Sequence, residues 1–167
     1  MTALAVPPVA VAAMLIRRPA GEVFAAIVDP DKLSSFWFTG SSGPLAAGAK
    51  LRWDWEMYGA GADVEVQAVE PGRRIVMAWG EPGAMTEVEW TFTPKGADAT
   101  FVEVVNRGFA GDADAQVAAA LDSTGGFALV LAGAKVWLEH GIDAGLIEGR
   151  HPDAVVAGWP GRKGDGR

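Results

Sequence analysis

The sequence predicts an α+β domain in which an antiparallel sheet follows two short helices and is closed by one long helix. Three observations predict it. Between residues 50 and 107 apolar and polar residues alternate with a period of two, as in LRWDWEM at 51–57, the pattern of strands with one buried and one wet face. The joints between these runs are short turn sequences, Glu70-Pro71-Gly72-Arg73, Pro82-Gly83 and Pro94-Lys95-Gly96; parallel strands would need long crossovers instead. Residues 112–142 then carry apolar positions at helical spacing.

Taken in order, the first element is a strand. Val9 to Ile16 follows Pro7-Pro8, has no basic segment ahead of it, and falls well short of the roughly 20 residues that span a bilayer. It therefore reads as a buried strand, not a targeting or membrane segment. A helix comes next: Pro19 suits a first turn, where a missing N–H costs nothing, and Val23, Phe24, Ile27 and Val28 keep helical spacing. Asp29-Pro30 stops it, since the residue before proline avoids the α region. Asp29 can then cap a second helix, PDKLSSF, with Trp37 at its exit.

Strands are expected at Lys50–Met57, Ala62–Val69, Arg74–Trp79, Thr86–Thr93 and Ala99–Arg107, with a weakly marked one near Phe38–Ser41. One face collects Leu51, Trp53, Trp55, Val64, Val66, Ala68, Ile75, Met77, Trp79, Val88, Trp90, Phe92, Val102 and Val104. The other carries Arg52, Asp54, Glu65, Gln67, Glu87, Glu89 and Glu103, expected to form cross-strand ion pairs or to stay hydrated. Phe101 and Val105 break this split; they point to a subunit contact or to a different register.

In the last element Asp112 is the expected N-cap, and Gly141 with Ile142 behind it reads as a Schellman stop. Phe127, Leu131, Ala134 and Leu138 form an apolar stripe, with Val130 and Trp137 beside it. Gly125-Gly126 lies inside, where each glycine costs about 1 kcal/mol relative to alanine; a kink or a close approach is expected there. Residues 1–8 read as an extension, 9–142 as the domain, and 143–167 as a tail, partly mobile, with no periodicity after Gly158.

Composition narrows the function. A chain of 167 residues buries about 68–70% of its unfolded surface and needs no covalent staple. It has no cysteine, which removes disulfides and thiolate chemistry and is compatible with a cytoplasmic location. The formal charge of −7 argues against nucleic acid as a partner, because that affinity rests on clustered Lys and Arg. His140 and His151 are the only histidines; no metal-ligand spacing and no phosphate loop occur, so neither a metal nor a cofactor is expected.

Several stretches resemble one family. RPAGEVFAAIVDPDKLSSFW, GAKLRW, VEPGRRIVMAW, EVEWTFTP…ATFVEVVNRGF and GGFALVLAGAKVWLEHGI are similar, in order and spacing, to the START-like proteins related to the activator of Hsp90 ATPase, within the SRPBCC or Bet v 1-like superfamily. The resemblance spans residues 9–142. It implies a helix-grip fold, a curved antiparallel sheet wrapped around the long C-terminal helix with a cavity between them. Many relatives bind lipids, polyketides or hormones, and some are cyclases or dehydratases. Where many members carry a histidine near the end of the last strand, this chain has Asn106, which cannot titrate near neutral pH.

The candidate site follows from volume. Gly125, Gly126, Ala128, Ala132, Gly133 and Ala134 make the helix surface small, while Trp53, Trp55, Trp79 and Trp90 face it from the sheet. The indoles either fill the space or line it. The candidate ligand-binding residues are Trp37, Trp53, Trp55, Trp79, Trp90, Phe92, Asn106, Phe127 and Trp137; no catalytic residue is assigned. Trp37 can equally be a helix-exit anchor, and Asn106 a structural amide or an indole partner. The expected function is binding of a small hydrophobic molecule. The rivals are a polyketide cyclase or dehydratase acting on such a molecule, and an Hsp90 co-chaperone-like interaction module; a homodimer is a further expectation.

Overall fold

The computed structural model of the protein describes residues 3–162. Seven strands form one antiparallel sheet in the order β1-β7-β6-β5-β4-β3-β2. They are β1 (Ala10–Ile16), β2 (Gly40–Ser41), β3 (Lys50–Trp55), β4 (Ala60–Glu70), β5 (Arg74–Gly80), β6 (Thr86–Pro94) and β7 (Thr100–Arg107). Helices α1 (Ala20–Val28) and α2 (Pro30–Leu33) follow β1, α3 (Ala113–His140) follows the sheet, and a short α4 (Leu146–Arg150) comes after it. The α+β architecture with a long C-terminal helix is the one the sequence predicts.

Local chemistry explains the joints. The Asp29 side chain accepts from the Asp31 N–H at 2.9 Å, so this aspartate both ends α1 and caps α2. Asp112 caps α3 through the Ala115 N–H at 2.9 Å. Gly141, left-handed at φ 68°, closes that helix with its N–H on the Trp137 carbonyl at 2.8 Å. Ile142, expected to pack behind this stop, is exposed instead.

Two strand details differ from the sequence pattern. Met57 is buried, but within a 3-10 turn (Glu56–Tyr58) that ends β3 early. In β4 the register shifts between Val66 and Ala68. This bulge at Gln67 turns Ala68 opposite Val76 and puts Val69 opposite Ile75, so Val69 joins the core face in its place. The register of β7 stands: Phe101 and Val105 do lie on the outer face, opposite Leu15 and Val11 of edge strand β1.

That outer face otherwise carries the expected ion pairs, among them Arg74–Glu89 at 2.6 Å, Arg107–Glu87 at 2.9 Å and Arg52–Asp63 at 3.1 Å. The inner face packs against α3. By length and composition α3 could cross a membrane, but here Phe127, Val130, Leu131 and Ala134 bury its inner side in the core. At its end burial pushes the Glu139 carboxyl up in pKa, and the hydrogen bonds from Lys135 Nζ (2.6 Å) and the Arg17 N–H (3.3 Å) outweigh this and hold it below the usual range.

Candidate functional site

Trp37 is the centre of the interior. Its ring stands 5.0 Å from Trp53, 5.6 Å from Trp79, 5.7 Å from Phe127, 5.8 Å from Trp55 and 5.9 Å from Trp90, centroid to centroid. All five contacts are edge-on or tilted, avoiding the face-to-face sandwich that aromatic quadrupoles disfavour. Trp37 reaches this place because the chain turns sharply after α2, with the Trp37 N–H still bonded to the Leu33 carbonyl at 3.0 Å. It is therefore a buried hub, not a residue standing at an entrance.

A cavity of about 500 Å³ opens beside this hub. Trp37, Trp55, Trp79 and Phe127 form its aromatic wall; Phe109, Val130 and Ile147 add aliphatic and aromatic surface. Of the other residues singled out in the sequence, Asn106 also lines it. Trp53 and Trp90 are fully buried in the cluster behind the wall. Phe92 packs edge-on against Phe24 of α1, and Trp137 lies against Phe36.

The physical reason for this division is that small positions on α3 are already filled. A Cβ on Gly133 would meet Phe36 at 3.4 Å. Gly125 and Gly126 are covered by the Arg150 guanidinium, where added Cβ atoms would stand 2.9 Å from Nη2 and Nη1. The glycine pair thus serves a close approach, and the approaching group is a cation. Beyond that guanidinium, space remains beside Ser123 and Ala119, which line the cavity.

The polar groups of the wall are bonded to one another. Asn106, 2% exposed, donates from Nδ2 to Thr86 Oγ1 and to the Glu87 carbonyl, both at 2.8 Å. Its Oδ1 accepts from Ser123 Oγ at 2.7 Å. The amide thus ties β6, β7 and α3 together, and no indole among the described residues bonds it. The Tyr58 hydroxyl donates to the Ile147 carbonyl, and burial raises the pKa of its phenol. Trp90 Nε1 is buried with no partner among the described residues, an orphan donor of the kind that costs about 1–3 kcal/mol.

Sequence reasoning missed the segment after α3. Expected to trail from the domain, residues 143–162 instead pack against it. Ile147, Arg150 and His151 line the cavity, and the Val156 N–H bonds the Met57 carbonyl at 2.8 Å. Arg162 is buried: Nη1 donates to the Ser34 and Phe38 carbonyls (both 2.9 Å), Nη2 to the Trp37 carbonyl (2.7 Å), and Nε and Nη2 to Glu148 (3.3 and 3.1 Å). A helix with Leu146 and Ile147 near Gly145 was a weak signal in the sequence; a lone arginine among glycines was none.

An antiparallel sheet gripping a long helix, with an aromatic cavity at their junction, defines a helix-grip domain. The chain belongs to the family of Activator of Hsp90 ATPase homolog 1-like proteins, whose model matches residues 17–159. Among solved structures it is similar to the protein SSP2350 from Staphylococcus saprophyticus, with 28% identity and a TM-score of 0.69 over 81% of this chain and 94% of that one. It is also similar to DynU16, a protein of the dynemicin biosynthetic locus, with 26% identity and a TM-score of 0.66 over 81% of this chain and 49% of that one. The Aha1 dimer from Colwellia psychrerythraea shares the fold, at 19% identity and a TM-score of 0.66 over 80% and 97% of the two chains. A comparison with curated proteins finds no match.

Proposed function

We propose that the protein binds a small hydrophobic molecule, a lipid, an aromatic or a polyketide-like compound, in the cavity beside Trp37. The observation that carries this reading is a cavity of about 500 Å³ walled by Trp37, Trp55, Trp79 and Phe127. That volume falls within the range of about 300–1,000 Å³ that small-molecule sites occupy. A ligand burying roughly 250 Å² of apolar surface there gains about 6 kcal/mol before the costs of association. Binding without turnover is favoured over a cyclase or dehydratase by the state of the wall. Asn106 and Tyr58 are spent on protein partners, Arg150 is paired with Asp122, and Asp122 and His151 are exposed.

Two measurements test it. Native mass spectrometry of protein purified from its own host should show a co-purifying apolar mass. Uptake of the neutral dye Nile red should be abolished by Ala119→Trp, which places an indole at an exposed helical position of the cavity mouth. Unchanged uptake in the folded variant would move the site elsewhere.

A second reading, self-association, rests on the outer face of β1 and β7. Val11 lies opposite Val105 and Leu15 opposite Phe101, and Val9, Val11 and Leu15 are 45%, 47% and 37% exposed. An apolar row on an edge strand is a site where a second copy can pair. Sedimentation should give a dimer that Val11→Lys with Leu15→Lys dissociates; a wild-type monomer at every concentration would remove this reading.

A further inference from the structure

Arg150 is the one cation on the cavity wall among the described residues, and only part of it is used by the protein. Its Nη2 donates to the Asp122 carbonyl and to Asp122 Oδ1, both at 3.0 Å. Among the described residues Nη1 and Nε find no acceptor. The two ends of the guanidinium also face different surroundings. Nη2 lies over Gly125, which is not part of the wall, whereas Nη1 lies over Gly126, which is. Nη1, unspent and set over Gly126, therefore faces the cavity. Asp122 lines the cavity too and is the counter-ion of Arg150, but its side chain is 74% exposed against 26% for Arg150 and bonds only Nη2, so Nη1 keeps its donors.

Beyond the Arg150–Asp122 pair the wall adds one further donor. Thr86 Oγ1 already accepts from Asn106, which leaves its hydroxyl proton free to donate. An entirely apolar ligand would leave these groups facing hydrocarbon, a costly outcome. An oxyanion at one end of an apolar body satisfies the guanidinium.

We propose that the cavity selects amphipathic carboxylates: molecules with an apolar body against Trp55, Trp79 and Phe127 and a carboxylate on Arg150 Nη1. This rests on the binding reading above and names the ligand's headgroup. The carboxylate competes with Asp122 for the guanidinium, so removing the Asp122 charge strengthens binding.

The test compares oleate, oleyl alcohol and methyl oleate by displacement of Nile red from the intact protein at low salt. Oleate should bind about tenfold tighter than either neutral analogue, the size expected of one charge-assisted hydrogen bond. Asp122→Asn should widen that ratio, and Arg150→Gln should bring it to one. Equal affinities for the three compounds in the wild type, or a preference for the acid that survives Arg150→Gln, would overturn the headgroup assignment while leaving the cavity reading in place. Failure of all three to displace dye from a folded protein would overturn both.

Discussion

The Arg162 guanidinium donates to the Trp37 carbonyl at 2.7 Å, across 125 residues of chain. With the Ser34 and Phe38 carbonyls also bonded, one buried cation holds the backbone on which the hub of the aromatic cluster is mounted. Glu148 and Asp143 neutralise it, at 3.1 and 3.4 Å. The segment after α3 therefore determines the position of Trp37 from behind, while Ile147 and Arg150 of the same segment shape the cavity from the front.

Arg162→Met should destabilise the protein by about 3 kcal/mol or more, because it strands two partly buried carboxylates and three carbonyls at once. Urea unfolding followed by tryptophan fluorescence measures this. Arg162→Lys should recover only part of the loss, since an ammonium cannot reach all the acceptors that the planar fork does.

Gly126→Ala should leave stability unchanged or raise it by up to about 1 kcal/mol through helix propensity. The new Cβ would meet only Arg150 Nη1, at 2.9 Å, the mobile tip of a long side chain. Thermal melts should show no loss, and the preference for oleate over its methyl ester should fall as Nη1 is displaced. A drop in melting temperature would mean that the Arg150 contact is rigid.

Asn106→Asp should cost about 1–3 kcal/mol at neutral pH, because a carboxylate oxygen replaces Nδ2 against the Glu87 carbonyl and Thr86 Oγ1, each 2.8 Å away. Protonation supplies a donor again, so the deficit should shrink as the pH falls. Melting curves of the variant and the wild type across the acid range read the difference.

Glu139 makes a contribution of the opposite sign with pH. Its folded pKa lies below the usual glutamate range, so its stabilisation is complete above that range and is lost as the pH falls through the lower folded value. Glu139→Gln should lower stability at neutral pH and flatten the acid limb of the stability profile below about pH 4.5. An acid limb identical to that of the wild type would show that the Lys135 and Arg17 contacts carry no net charge effect.

The strands, the caps and the wet face were legible because each depends on neighbours in sequence. Alternation sets which side of a strand is buried, and Asp29, Asp112 and Gly141 act within a turn. Parity does not give depth, however. Trp53 and Trp55 share a face, yet one is 1% exposed within the cluster and the other is cavity wall. The bulge at Gln67 has no local signature that separates Ala68 from Val69. The glycine pair in α3 announced a close approach; the arginine that makes it lies 25 positions beyond Gly125, and such a pairing is set only by tertiary packing.

The cavity wall draws on residues from Trp37 to His151. No early portion of the polypeptide can assemble it. As synthesis proceeds from the N-terminus, the sheet and α3 can dock first and present an open aromatic trough. The trough becomes a bounded cavity only once α4 has packed against it, and a chain interrupted before Leu146 would expose indoles without the frame that encloses them.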